Sequence, residues 1–583
     1  MVEPARRVEE AVWPGLTLEV VLYTALIAAA ALIRLFDLGR WPLLTGEATQ
    51  ALAAWRFLQA QPMGQAPVPL LFDGALAGFF AFGANDVVAR LLPAFLGLAL
   101  VFLPALFLRR RLGTWGTLAA TFILALSPTM VFYSRTLSGA MPALAGLGAV
   151  LAAVELSGRG QARTGTIVGM VGLAVALTAS PWTYTFLLAA LLFVGLGALA
   201  RRRGRPWPGW DPFVGALRAQ LSDGRAWALL ALLVALLSTA LALNLSGLQG
   251  TANLLGAWLS RLVPGSGGQS FDFGLSTLVF YELGPLILGI WGLVLGLRRG
   301  DLWAVFLGGW AILGILLATL SGARDGEALV FTVLPLALLS GLAVQAIVVS
   351  LPPAHWAWTG GITAALSVIA GFWWLQAATY ANGSVGVVQV ANLSLIGALA
   401  VVAPVFLLAG ILVFWYWIGR NETTWALALV GFGLLACLLF RNSVAANFET
   451  RDPREPLLAS PSALDLRDMR SFLIDWSSRT VGDQHGLAIV VQDDLGPLVP
   501  WYLRDFKIVR LASAPTGEEE AGAWVVRSQP GTKPPAGLVG EHFRLTSTVQ
   551  PASPLSAQML AWWMLREGSG PQQADTCELW VKP

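Results

Sequence analysis

Long apolar runs dominate the first three quarters of the chain. They lie approximately at residues 17–36, 87–108, 114–133, 140–157, 165–180, 182–200, 226–246, 276–297, 302–320, 328–349, 356–378, 392–417 and 423–441. Each approaches the ~20 residues that a helix needs to cross a bilayer, so the pattern predicts about 13 spans. The pair 165–180 and 182–200 is separated by little more than Pro181, so one kinked element is the alternative to two. The first run is too long for a signal-peptide core and reads as a retained first helix. No internal repeat of fixed period stands out.

After Arg441 the pattern changes. Charges of both signs, prolines and short alternating runs appear. Strands are expected at Leu487–Gln492, Phe506–Leu511, Ala523–Ser528, Phe543–Val549 and Glu578–Val581. Helical patterns at about 463–479 and 556–566 interleave with them, and loops are expected at Ser513–Glu520 and Gln529–Pro535. Strands alternating with helices predict a small α/β domain. The expected organisation is therefore mainly α: a polytopic helix bundle over residues 1–441, with an α/β domain over 442–583.

Composition sharpens this picture. Hydrophobic residues make up 56% of the 583, charged residues 12%, and glycine adds 62 positions. Soluble domains hold roughly 45–50% apolar residues with glycine already counted, and about a quarter charged. A soluble enzyme, a disordered chain and a nucleic-acid binder are excluded. Only Lys507, Lys533 and Lys582 are lysines, so every basic residue of the bundle is arginine. The arginines cluster at Arg109 to Arg111, at Arg201, Arg202, Arg203 and Arg205, and at Arg298 and Arg299. Under the positive-inside rule these loops are cytoplasmic, which puts the N-terminus inside and the tail domain outside the cell membrane. Cys437 and Cys577 fit no disulfide framework, and His355, His485 and His542 have no metal-ligand spacing.

The remaining ionisable groups gather at the expected outer side, where intramembrane or juxtamembrane charges are functional candidates. The first outer loop, 37–86, carries Asp37, Arg40, Glu47, Arg56, Asp73 and Asp86, with Arg34 and Arg90 at its ends. Within it, Glu47–Gln61 and Leu70–Phe82 read as helices lying in the interface. Tyr133-Ser134-Arg135, Trp258 to Arg261, Tyr281-Glu282 and Arg324 to Glu327 lie at other outer ends. A guanidinium grips phosphate in a fork and a carboxylate serves as general base. This set suits transfer from a lipid phosphate carrier. Glu47 is the base candidate, and Arg135, Arg324 and Arg90 are donor-phosphate candidates. Tyr133, Glu282, Glu327 and Asp86 are candidates for orienting substrate. The plainer readings are that Glu47 caps a helix N-terminus and that Arg135 snorkels at a helix end. Glu282, inside an apolar run, needs a buried partner.

Ordered landmarks tie these features together. Arg34-Leu35-Phe36-Asp37-Leu38-Gly39 precedes Gly46-Glu47-Ala48, followed by Asn85-Asp86, by Ala89-Arg90-Leu91-Leu92-Pro93-Ala94, by Ala125-Leu126-Ser127-Pro128 and by Phe132-Tyr133-Ser134-Arg135. Tyr281-Glu282, Gly326-Glu327 and Leu334-Pro335-Leu336 come later, and the tail carries Val499-Pro500-Trp501-Tyr502-Leu503-Arg504-Asp505. In these the chain resembles the GT-C superfamily of polytopic glycosyltransferases, of the protein O-mannosyltransferase (family 39) kind. It is most similar to the prokaryotic branch labelled flippase-activity-associated. The resemblance implies inverting sugar transfer from a polyprenyl-phosphate donor to a glycan or protein acceptor at the outer membrane face. It marks Trp501, Tyr502, Arg504 and Asp505 as the tail signature. The family places an Asp-Glu pair in the first outer loop with the aspartate as base, and here that pair reads Gly46-Glu47. No acid follows Arg135 before Pro142, and no lysine or histidine lies between Glu327 and Leu334. Two readings follow: a transferase in which Glu47 has taken over as base, or a catalytically degenerate GT-C protein acting as a lipid-binding or partner subunit. No cofactor is called for beyond the option of a divalent cation.

Overall fold

The computed structural model describes the chain from Thr17 to Lys582, apart from residues 64–66, 264–272, 322–325, 353, 385–391, 450–454, 456, 459, 514–516, 518–519, 529–533, 550–561 and 565–571. Among the described residues, 10 helices are long and apolar enough to cross a membrane. The count is 11 when Phe273–Tyr281 and Leu283–Arg299, bent by 100° at Glu282, are taken as one broken span. The chain is a multi-pass membrane protein.

The expected number of spans, about 13, is corrected at one place, the run 226–246. Runs 87–108 and 114–133 are two helical segments of Leu91–Leu126 that turn back on each other at Gly113, whose φ of 73° lies in the left-handed region, so that Ser134 Oγ lies beside Gly97. The run 226–246 is only half helix. Gly224–Ser238 has 15 residues and spans roughly 22 Å, short of the ~30 Å hydrocarbon core. It stops where Ala240, Leu241 and Ala242 all take positive φ. The tight pair resolves into two full helices, Ala162–Ala179 and Thr183–Arg202. Ser180 to Trp182 make the turn, and the Thr183 hydroxyl donates back to the Ala176 carbonyl at 2.7 Å.

Helix Gly326–Ser350 is the axis of the bundle, with most of its side chains buried. It packs on Leu91–Leu126, Leu283–Arg299 and Leu302–Leu320. Apolar area drives little association between helices in lipid, so close approach of small residues does the work. A Cβ on Gly116 would lie 2.5 Å from the Gly341 carbonyl oxygen, and one on Gly292 would lie 1.9 Å from that of Leu339. Leu393–Trp417 is the opposite case: apolar all round, with Ala403 its buried residue, as a helix solvated by lipid should be.

The tail forms a five-stranded sheet in the order β2-β1-β3-β5-β4. β1 (Ala488–Gln492), β2 (Ile508–Ala512) and β3 (Ala523–Arg527) run parallel, and β4 (Val539–Val549) and β5 (Gln572–Val581) complete it antiparallel. The α/β expectation holds. β5 begins six residues before the expected Glu578, because its first half alternates polar residues that hide a strand signal. Most of the expected helix at 556–566 and of the two expected loops lies outside the described residues.

The first loop provides Thr45–Leu58 and Pro69–Phe82. These helices do more than lie on lipid. Ala51, Leu52, Phe72 and Phe79 share one hydrophobic core with Leu473, Val499 and Trp501 of the tail. The loop is a layer between bundle and sheet, with Phe79 stacked on Trp501 at 5.7 Å between ring centroids.

The glycine contacts generate a test. Gly116→Ala should destabilise the bundle by about 1–3 kcal/mol, because a backbone carbonyl must move. Gly309→Ala, with nothing within 4 Å of its added Cβ, should leave stability unchanged or slightly raised. Thermal midpoints in detergent check both.

Candidate functional site

Glu47 sits in the first turn of Thr45–Leu58 and is buried. Arg90 grips it with two hydrogen bonds, Nε to Oε1 at 2.8 Å and Nη2 to Oε2 at 2.7 Å. The Leu44 amide donates to Oε2 at 2.7 Å, capping the helix, and the Leu137 amide donates to Oε1 at 2.6 Å. The rest of the Arg90 fork donates to the carbonyls of Leu38, Trp41 and Pro42. The carboxylate and its arginine thus tie residues 38–47, Arg90 and Leu137 together.

The other arginines near it are used in the same way. Arg135 donates from Nη1 to the carbonyls of Ile33 and Phe36 at 2.8 and 2.7 Å, and from Nη2 to Asp37 at 2.9 Å. It satisfies the orphan carbonyls at the end of the first helix, and its guanidinium lies 4.3 Å from the Phe448 ring centroid. Arg34 does likewise for the carbonyls of Leu124 and Ala125 and touches Ser134 Oγ at 3.2 Å. A cleft beside Arg90 and Arg135, also lined by Trp41 and Asn447, has room for about one water at 20 Å3.

Asp86 is the seat of the tail signature. Trp501 Nε1 donates to Oδ1 at 2.9 Å, and the Tyr502 hydroxyl and Arg467 Nη2 donate to Oδ2 at 3.0 and 2.9 Å. The Tyr502 oxygen also accepts from the Leu43 amide at 2.9 Å. Arg504 lies 3.9 Å from the Trp501 ring centroid and donates to the Ala84 carbonyl. Asp505 pairs with Arg470 within the tail at 2.6 Å. Burial pushes the Asp86 carboxyl up, but the Trp501 and Arg467 hydrogen bonds and the Arg90 charge outweigh it, and its pKa lies below the ordinary aspartate range. Arg467 carries no local sequence signal. Its role comes from long-range packing of helix Asp465–Thr480.

A second polar group collects around Glu327. Its Oε1 accepts from Ser180 Oγ at 2.9 Å, and Arg261 stands 3.8 Å from Oε2. Arg261 also faces the Trp182 ring at 5.8 Å. Tyr133 packs its hydroxyl against Gly326, the residue before Glu327. Arg324 lies outside the described residues. Glu282 is fully buried at the helix break, with Ser127 and Thr129 on one oxygen.

Asp73 is the first-loop acid that local reading passed over. It lies on Pro69–Phe82, which packs against Ala162–Ala179 and Gly247–Leu262, the helices that lead to Ser180 and carry Arg261. One of its oxygens is buried without a partner among the described residues. Desolvation lifts its pKa to about 7. A lone aspartate in an apolar helix was the signal available in the sequence. Among the described residues no three histidines, cysteines or acids gather to hold a metal.

Solved structures give this arrangement its context. ArnT from Cupriavidus metallidurans bound to undecaprenyl phosphate matches with a TM-score of 0.54 at 16% identity, over 85% of this chain and 86% of that one. The same protein in its apo state matches with a TM-score of 0.52 at 15% identity, over the same shares. The chain has the GT-C fold. At such identities the likeness is one of fold, and function must be argued from the residues. No protein-family model matches the sequence. A search of curated proteins finds no match either.

The clamp and the tail seat each generate a prediction. Glu47→Gln leaves the buried Arg90 without its counter-charge and should cost about 3–5 kcal/mol, read as lost folded protein. The depressed pKa of Asp86 means that its ionised form supports docking above the unfolded aspartate pKa of about 3.9, and that this support fades as pH falls through the lower folded value. Pepsin cleavage within 498–505 should therefore be slow at pH 5 and accelerate below about pH 3. In Asp86→Ala it should be fast at both.

Proposed function

We propose that the chain is a membrane glycosyltransferase of GT-C fold, which moves a sugar from a polyprenyl-phosphate donor to a glycan or protein hydroxyl at the outer face of the cell membrane. The likeness to family 39 rests on the sequence landmarks. The observation that carries the catalytic reading is the contrast among first-loop acids. Glu47 and Asp86 have their oxygens taken by structural donors, whereas Asp73 keeps a buried oxygen without a described partner and a pKa of about 7. A general base works best with a pKa near the operating pH.

In this reading Asp73 takes the proton from the acceptor hydroxyl. That oxygen bonds to the anomeric carbon as the bond from carbon to phosphate oxygen breaks, with inversion, and the lipid phosphate leaves. Arg261 steadies the departing phosphate, with Arg324 as its expected neighbour. Glu327 holds Arg261 in place, and Tyr133 closes that side. Glu47, Arg90 and Arg135 build the frame.

A second reading, a lipid-binding partner subunit without catalysis, is favoured by the full engagement of Arg90 and Arg135. Purified protein given polyprenyl-phosphate sugars and an acceptor separates the two. Transfer should rise with pH through about 7, and Asp73→Asn should lower it by about 10²–10⁴-fold and flatten that rise. Asp73→Asn turning over like the parent at equal folded amount contradicts the base assignment. Donor binding without transfer in the parent supports the subunit reading.

A further inference from the structure

A groove of about 460 Å3 opens on the flank of the bundle among helices Leu18–Leu35, Leu91–Leu126, Leu283–Arg299, Gly326–Ser350 and Arg420–Val444. Its walls are apolar and include Leu26, Ile123, Leu288, Val344, Leu435 and Leu439. The volume falls within the usual range for small-molecule pockets.

A buried polar cluster lies about one helical turn beyond one end of the groove. Gly284 and Pro285 line that end, and Glu282 is the next residue but one before Gly284. Ser127 follows Ile123 by one helical turn, and Asn442 and Ser443 follow Leu439 by about one turn. Glu282 Oε1 accepts from Ser127 Oγ and Thr129 Oγ1, both at 2.5 Å, and from the Thr129 amide at 3.2 Å. Oε2 is buried and has no partner among the described residues, and the same holds for Asn442 Oδ1 and Ser443 Oγ. No described arginine or lysine forms an ion pair with this carboxylate.

A buried acid left with a bare oxygen calls for a hydrogen-bond donor. The groove walls at Gly284, Ile123 and Leu439 bring an apolar channel to within about one helical turn of it. A phosphate head would bring a second anion against Glu282 with no cation between them, whereas a hydroxyl can donate to Oε2 and accept from Ser443. We propose that this groove binds a long-chain lipid alcohol, its chain along Leu26, Leu288 and Val344 and its hydroxyl at Glu282. The proposed site uses none of the residues around Arg261, and it stands whether or not the chain transfers sugar.

The test uses the full chain in detergent, without any sugar donor. Three photoreactive probes are compared: a prenol, the matching prenyl phosphate and a phosphatidylcholine. The prenol should label peptides of the groove walls about tenfold more than either other probe. Leu288→Trp, which fills the channel without touching Glu282, should lower prenol labelling by about tenfold at an unchanged thermal midpoint. Glu282→Gln removes the charge and should reduce the preference for alcohol over phosphate by about fivefold or more. Equal labelling by phosphatidylcholine, equal labelling by prenyl phosphate in the parent, or no effect of a folded Leu288→Trp overturns the proposal.

Discussion

The buried pair of Arg90 and Glu47 is the constraint on which the tail-bearing end of the molecule depends. Two charges removed from water are tolerable only with near-complete hydrogen bonding. Arg90 meets that demand by reaching three backbone carbonyls as well as the carboxylate, and Glu47 by taking two amides. The result fixes the path of residues 38–47, the start of helix Thr45–Leu58 and the turn at Leu137. Asp86, four residues before Arg90, is thereby held where Trp501, Tyr502 and Arg467 can reach it. Bundle, loop and tail are joined through one short stretch of chain.

This use of arginine explains the scarcity of charge in the bundle. Arg34 and Arg135 complete helix ends that water would satisfy in a soluble protein. A guanidinium offers five donors in a plane and stays ionised, so one side chain can close several carbonyls at once. The expectation that Arg90 and Arg135 grip phosphate rested on the same property. In this fold those donors face inward, and the described cation beside the second polar group is Arg261.

Much of the fold was legible because lipid enforces simple rules. Apolar length marked most spans, and the composition shift after Arg441 marked the α/β tail. The failures have physical causes. A largely apolar run of 21 residues at 226–246 conceals a helix that stops at Ser238, just before three left-handed residues. For the site, residue type and order revealed that Glu47, Asp86, Arg90, Arg135 and the Trp501 signature matter. They did not reveal how, because pairing between residues 43 and 415 positions apart is a property of the fold. Asp73 was hidden for the opposite reason: its distinction is a partner that one of its oxygens lacks among the described residues.

The central claim is that the Arg90 clamp positions the loop on which the tail docks. Hydrogen exchange on Arg90→Met tests it directly. Amides in 38–58 and in 498–505 should lose protection together, while those of helix Gly326–Ser350 keep theirs. A tail that stays fully protected while 38–58 opens would contradict the account.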